Sequence, residues 1–231
     1  MSDGEWTTAY CDTDLTFFLL TYRDHEVADL CLRDLRAHFP DSRVVVRADG
    51  DPDPRNLIFS ERYGADVRRE GRLFAAPNGA AVIARMFQIF LERPTAFLFK
   101  IDPDTVVHRR FRYLPTRDGI FGTLQGGEVC PSIQGGCLGF SLRSAERIAG
   151  SEALEDPRLS DPMRYRETSG YFRRMANRAE RCGLASFDWA LGWIAGEVSV
   201  PMFDFPEVHS RWKEPTANAD LRYAVTHPRP R

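Results

Sequence analysis

Short apolar runs alternate with longer segments of helical period along this chain, and turn-forming residues separate them. Residues 15–22 (Leu15-Thr16-Phe17-Phe18-Leu19-Leu20-Thr21-Tyr22) are an apolar run of strand length, suited to a sheet covered on both faces. Val27, Leu30, Cys31 and Leu35 follow at helical spacing, with Asp24 placed as a cap and Pro40 closing the segment. Residues 43–47 are a second strand that breaks into Asp49, Gly50, Asp51 and Pro52. Strand, helix and strand with their loops at one end make a βαβ unit. The pattern from 55 to 71 is irregular, with a short helix around 57–63. Residues 79–93 are the clearest helix, apolar at Val82, Ile83, Met86, Phe87, Ile89 and Phe90 and stopped by Pro94.

Residues 97–101 read as a buried parallel strand that ends abruptly in acids. Strands at 120–124 and 134–141, and helices at 142–149, 171–182 and from 187 onward, complete the pattern; Ser186 is the candidate cap of the last helix. Residues 150–170 are polar, carry Pro157 and Pro162 and lack an apolar period, so a flap beside the site is expected there. The predicted fold is a single α/β domain over residues 1–231, with a mixed, mostly parallel central sheet flanked by helices. Residues 1–13 form its polar lead-in.

Composition narrows the function classes. With 231 residues, 43% of them hydrophobic, the chain can bury one good core and is short for two domains. A formal net charge of -2 provides no global basic field for nucleic acid or an anionic membrane, so a bound phosphate must be caught locally. Five scattered cysteines without Cys-x-x-Cys spacing argue against a disulfide framework or a zinc site. No run has the length of a membrane span, and the N-terminus lacks a signal-peptide pattern, so a cytoplasmic protein is expected. The glycines of a dinucleotide fingerprint or a P-loop are missing after the first strand.

The candidate chemistry lies at the strand ends. Asp102 and Asp104 flank Pro103 at the carboxyl end of the central strand, where open α/β sheets bind ligands. Two acids at that spacing can share a Mg²⁺ or Mn²⁺ ion whose remaining ligands are substrate phosphates. The same tripeptide is also an ordinary turn, and acids there often bond only their own backbone. Thr21, Tyr22 and Arg23 would lie beside Asp49 and Asp51 on the same edge. They offer an aromatic face for a base and carboxylates for base or ribose hydroxyls, although the acidic loop reads equally well as a plain turn. Gly135 and Gly136 would let backbone amides approach a ligand, or else mark a bulge. Asp188 falls in a helix's first turn, and His227 and His209 fall in short strands near the end of the chain.

Taken in order, these segments resemble the GT-A fold glycosyltransferases, the nucleotide-diphosphosugar transferases, and among them the inverting β-1,3-glycosyltransferase and Fringe-like group. The resemblance rests on four motifs: the Asp-x-Asp stretch 99–106, the glycine-rich strand 134–141, the segment 187–192, and the closing segment 220–228 with its histidine. It implies that Asp102, Asp104 and His227 hold Mn²⁺ or Mg²⁺, with His209 a rival ligand. Lys100, Asp102, Gly135 and Gly136 then face a nucleotide-sugar donor, taken as a UDP-sugar, and Asp188 serves as the base for a carbohydrate or other acceptor hydroxyl. The chain departs from the group at Phe187, where a second acid is the pattern. That departure leaves a catalytically inactive nucleotide- or sugar-binding module of the same fold as the alternative.

Overall fold

The computed structural model describes residues 5–50, 54–73, 79–125, 131–161, 173, 187–210 and 222–228. In chain order the elements are β1 (Trp6–Thr7), β2 (Leu15–Thr21), α1 (His25–His38), β3 (Arg43–Asp49), α2 (Ile58–Tyr63), β4 (Asp66–Glu70), α3 (Gly79–Glu92), β5 (Phe97–Ile101), β6 (Val106–Val107), β7 (Leu114–Pro115), β8 (Ile120–Gln125), β9 (Ser132–Ser141), α4 (Leu142–Ala149), α5 (Pro157–Ser160), α6 (Phe187–Glu197), β10 (Met202–Asp204), β11 (Val208–Ser210) and β12 (Val225–His227). Asp51, Ser186 and residues 162–170 lie outside the described residues, as does the helix expected at 171–182 apart from residue 173. Among the described residues no helix is long and apolar enough to cross a membrane.

The central sheet has seven strands in the order β10-β8-β9-β5-β2-β3-β4. Only β9 runs antiparallel, to β5 on one side and to β8 on the other, so the expected mixed and mostly parallel sheet is present. Strand β5 is the fourth of the seven, and its alternation divides the core in two. Leu98 points toward α3, α4 and α6 and belongs to one buried cluster with Met86, Phe87 and Leu191. Phe99 and Ile101 point to the other side, toward Cys31 and Leu35 of α1, Phe59 of α2 and the aromatic group of Phe111, Phe203 and Phe205. Each such side chain taken from water contributes about 1.5–3 kcal/mol.

Several sequence expectations change on folding. Asp24 stands at the N-cap of α1, yet its carboxylate accepts the Tyr22 amide (2.7 Å) and caps nothing, because the left-handed backbone of Arg23 (φ 58°) folds the chain back. Residues 66–70, read as irregular, form the edge strand β4. The polar lead-in is docked: Trp6 pairs with Pro115 through β1 and β7 and stacks on Phe205 at 5.7 Å. Within the expected flap, residues 151–161 form a 3-10 turn and α5, both against α3, and Leu159 is buried.

One buried ionic cluster ties the β3 and β4 ends together. Arg47 donates to Asp49, to Glu70 (3.0 Å) and to the Gly71 carbonyl (2.8 Å), and Arg85 of α3 grips the same Glu70. Hydrogen bonds from Arg85, with those of Arg47 and against the effect of burial, pull the Glu70 carboxyl down to about 2. The stability that Glu70 contributes is therefore fully present above its ordinary value of 4.5 and is lost as pH falls toward about 2. Glu70→Gln should cost roughly 2–3 kcal/mol at neutral pH and flatten the acid limb of stability. Urea midpoints measured across that pH range check this. An unchanged acid limb would mean that the proton uptake occurs elsewhere.

Candidate active site

The acidic turn is built onto β9. Past the end of β5, the Asp102 amide donates to the Gly136 carbonyl (2.9 Å), and the same carbonyl accepts the Thr105 hydroxyl (3.1 Å). The Thr105 amide closes the turn over Pro103 onto the Asp102 carbonyl (3.1 Å). The backbone thus satisfies itself, and the two carboxylates are left for other partners. His227 meets them: its Nε2 is 3.1 Å from Asp104 Oδ1 and 3.5 Å from Asp102 Oδ2.

His227 reaches this point at the end of β12, which pairs with β11 on one side and β6 on the other. The ring is 3% exposed, and Nδ1 lies 3.0 Å from the hydroxyl of Ser210, its cross-strand neighbour. A partner on Nδ1 fixes the ring and presents Nε2, as is usual for a metal-ligating histidine. One ligand atom from each of Asp102, Asp104 and His227 lies within 4.8 Å of the others. Two carboxylate oxygens and an imidazole nitrogen fit a divalent cation such as Mn²⁺ or Mg²⁺. Burial raises the Asp104 carboxyl, but the hydrogen bond and charge of His227 outweigh it and hold the group below its usual range.

Gly135 and Gly136 lie where β9 loses register with β8, between Ile133 opposite Leu124 and Leu138 opposite Gly122, which agrees with the bulge reading of the pair. A Cβ on Gly135 would collide with Asp188 Oδ1, and a Cβ on Gly136 would collide with the His227 ring. Regular alternation is broken there, and the bare pair admits Asp188 from the α6 side and His227 from the side of β11 and β12. The close approach is by the chain's own side chains. Asp188, in the first turn of α6, is 9% exposed and accepts the Gln125 amide at 3.3 Å.

Lys100, expected to face a donor, is committed to the chain itself. Only 7% exposed, it donates to Asp102 Oδ1 and to the Gly135 carbonyl (2.5 Å), and its ammonium lies 5.3 Å from the Phe187 ring centroid. The predicted donor edge is partly assembled. Thr21 is buried at the end of β2, and Tyr22 beside it is covered by Arg72, whose guanidinium carbon lies 4.2 Å from the ring centroid. Arg23 is exposed. The Asp49 carboxylate does not face a ligand groove: it is fully buried and accepts from Arg47 and from the Leu73 amide (2.7 Å), holding the chain after β4. His209 stacks on Tyr223 at 4.7 Å, and among the described residues it is not one of the convergent ligands. It pairs with Thr226 in the ladder, one position from His227, which turns it to the other face. Ser210, Thr105 and Gln125 are members of the site that carry no local sequence signal.

No family profile matches the chain, and no curated protein matches it in sequence. Among solved structures it is similar to a mannosyltransferase from Pyrobaculum calidifontis in complex with GDP-Man and Mn²⁺, at 14% identity and a TM-score of 0.46, over 64% of this chain and 51% of that one. The chain thus spans about half the length of that protein.

The glycine geometry separates two substitutions. Gly136→Ala should cost about 1–3 kcal/mol of stability and, by displacing His227, remove the rise in melting temperature that a saturating concentration of Mn²⁺ would give through Asp102, Asp104 and His227. Gly135→Ala should cost a similar amount and keep that rise, since it displaces Asp188 instead. Differential scanning fluorimetry with and without Mn²⁺ decides; an identical Mn²⁺ response in the two variants would contradict the arrangement.

Proposed function

We propose that this chain is a metal-dependent glycosyltransferase of the GT-A arrangement, related to the Fringe-like group, which acts in the cytoplasm and moves a sugar from a UDP-sugar to an acceptor hydroxyl with inversion. The observation that carries this reading is the meeting of Asp102, Asp104 and His227 at the carboxyl end of β5, with Asp188 across two glycines from them. Asp102, Asp104 and His227 would hold Mn²⁺ or Mg²⁺. When bound, such an ion offsets the negative charge that grows on the departing diphosphate.

The chain's own groups supply the rest. Asp188, nearly buried and steadied by the Gln125 amide, takes the proton of the acceptor hydroxyl as it attacks the anomeric carbon. Holding hydroxyl and anomeric carbon in line makes the reaction effectively unimolecular. Thr21, Tyr22 and Arg23 stand at the neighbouring strand end, where the nucleoside of the donor would lie.

The inactive-module reading has one observation in its favour. Phe187 occupies the place of a second acid, and its ring packs beside the Lys100 ammonium. Incubating the purified chain with a panel of nucleotide sugars and Mn²⁺ tests both readings. Metal-dependent transfer or donor hydrolysis is expected, and Asp188→Asn should lower kcat by about a hundredfold or more while nucleotide binding persists. Nucleotide stabilisation without turnover would favour the module. A melting temperature unmoved by metal and by every nucleotide would end the proposal.

A further inference from the structure

The charge balance around Asp102 carries a consequence for how the site fills, and it rests on the metal-and-donor reading above. Asp102 and Asp104 bring two negative charges, and His227 ligates as a neutral ring. The Lys100 ammonium is bonded to Asp102 Oδ1 and to the Gly135 carbonyl, and is packed beside Phe187 with its side chain 9% exposed. It cannot swing into water without breaking both bonds. Asp102 Oδ2 is the oxygen turned toward His227.

We infer that Lys100 couples the two ligands: by cancelling one carboxylate charge it keeps the site a poor trap for a free divalent cation, and the diphosphate of the nucleotide restores the missing negative charge. With Lys100 counted, the ligand set sums to one negative charge against two positive charges on the ion. A nucleoside diphosphate brings at least two more negative charges, so cation and nucleotide each bind better when the other is present. Charges held a few ångströms apart in a partly buried site interact strongly enough for this to be measurable. The coupling is reciprocal by linkage. Lys100 is in this account a positioning and charge-setting residue that touches neither substrate nor the reacting atoms.

A role limited to aligning Asp102 predicts the opposite result, which makes the experiment decisive. Mn²⁺ binding to the full chain is measured by calorimetry and by Mn²⁺ paramagnetic resonance, alone and with saturating UDP or GDP, after correction for chelation by the nucleotide. The wild-type chain should bind Mn²⁺ at least about tenfold more tightly with the nucleotide present. Lys100→Met should bind Mn²⁺ alone about tenfold more tightly than wild type and lose most of the coupling. Lys100→Arg, which keeps the charge, should retain the coupling, and Lys100→Gln replaces Lys100→Met if thermal unfolding shows that the latter does not fold. Unchanged or weaker Mn²⁺ binding in the charge-removed variant, or no coupling in the wild type, overturns the inference and leaves the metal site standing. Absence of Mn²⁺ binding by every form under every condition overturns the metal reading itself. If neither UDP nor GDP binds, the donor reading falls, and the change in Mn²⁺ affinity without nucleotide still decides the role of Lys100.

Discussion

The antiparallel pairing of β9 with β5 is the constraint on which the site depends. It sets the Gly136 carbonyl where it can accept both the Asp102 amide and the Thr105 hydroxyl, so that the acidic turn has a fixed base. It sets the Gly135 carbonyl where Lys100 can reach it. It also places two residues without side chains between α6 and β12, the elements that deliver Asp188 and His227. In a wholly parallel sheet this junction could not form, because the neighbour of β5 would present its own carboxyl end and not the start of a strand.

Packing makes that pairing costly to disturb. The side of β5 away from α3 is filled by stacked rings, with Phe99 4.7 Å from Phe111 and 5.4 Å from Phe17. Cys137 lies within this layer, and burial pushes its thiol up to about 12, so it behaves as an apolar filler. Around that core the charges are placed in pairs. Arg47 answers Asp49 and Glu70, Arg109 answers Glu207, and Lys100 answers Asp102. A buried charge without such a partner costs several kcal/mol, so each pair fixes the backbone that carries it.

How much of this could be read from the sequence follows from which interactions are local. The apolar runs of β2, β3 and β5 and the long apolar face of α3 lie in consecutive residues, and their positions were legible. The strand β4 was not. It is an edge strand of sequence Asp66-Val67-Arg68-Arg69-Glu70, and its polar side chains are supported by ion pairs with Asp66, Glu92, Arg47 and Arg85, not by burial. The 3-10 turn and α5 after α4 were hidden for a similar reason: the first buries no residue and the second only Leu159, too few to set a period. In the site, Asp102, Asp104 and His227 stood out as residue types at strand ends, whereas the choice between His209 and His227 is a matter of register across a ladder of three short strands. Register is a property of pairs and leaves no mark on either segment alone.

The two glycines show the same limit from the opposite direction. Their presence suggested room for a ligand, and room is what they provide, but the occupants are Asp188 and His227. A missing side chain marks only that something approaches; what approaches is determined by elements more than 50 residues further along the chain. Asp188 and His227 approach from the two sides of the sheet, each against one of two adjacent glycines in the irregular stretch of β9. The backbone of β9 lies between them. Under the proposed function, an aspartate on the His227 side would be drawn toward the cation as another ligand and would lose its use as a base. Lys100 lies on the α6 side and bonds to Asp102 and to the strand that separates Asp188 from His227.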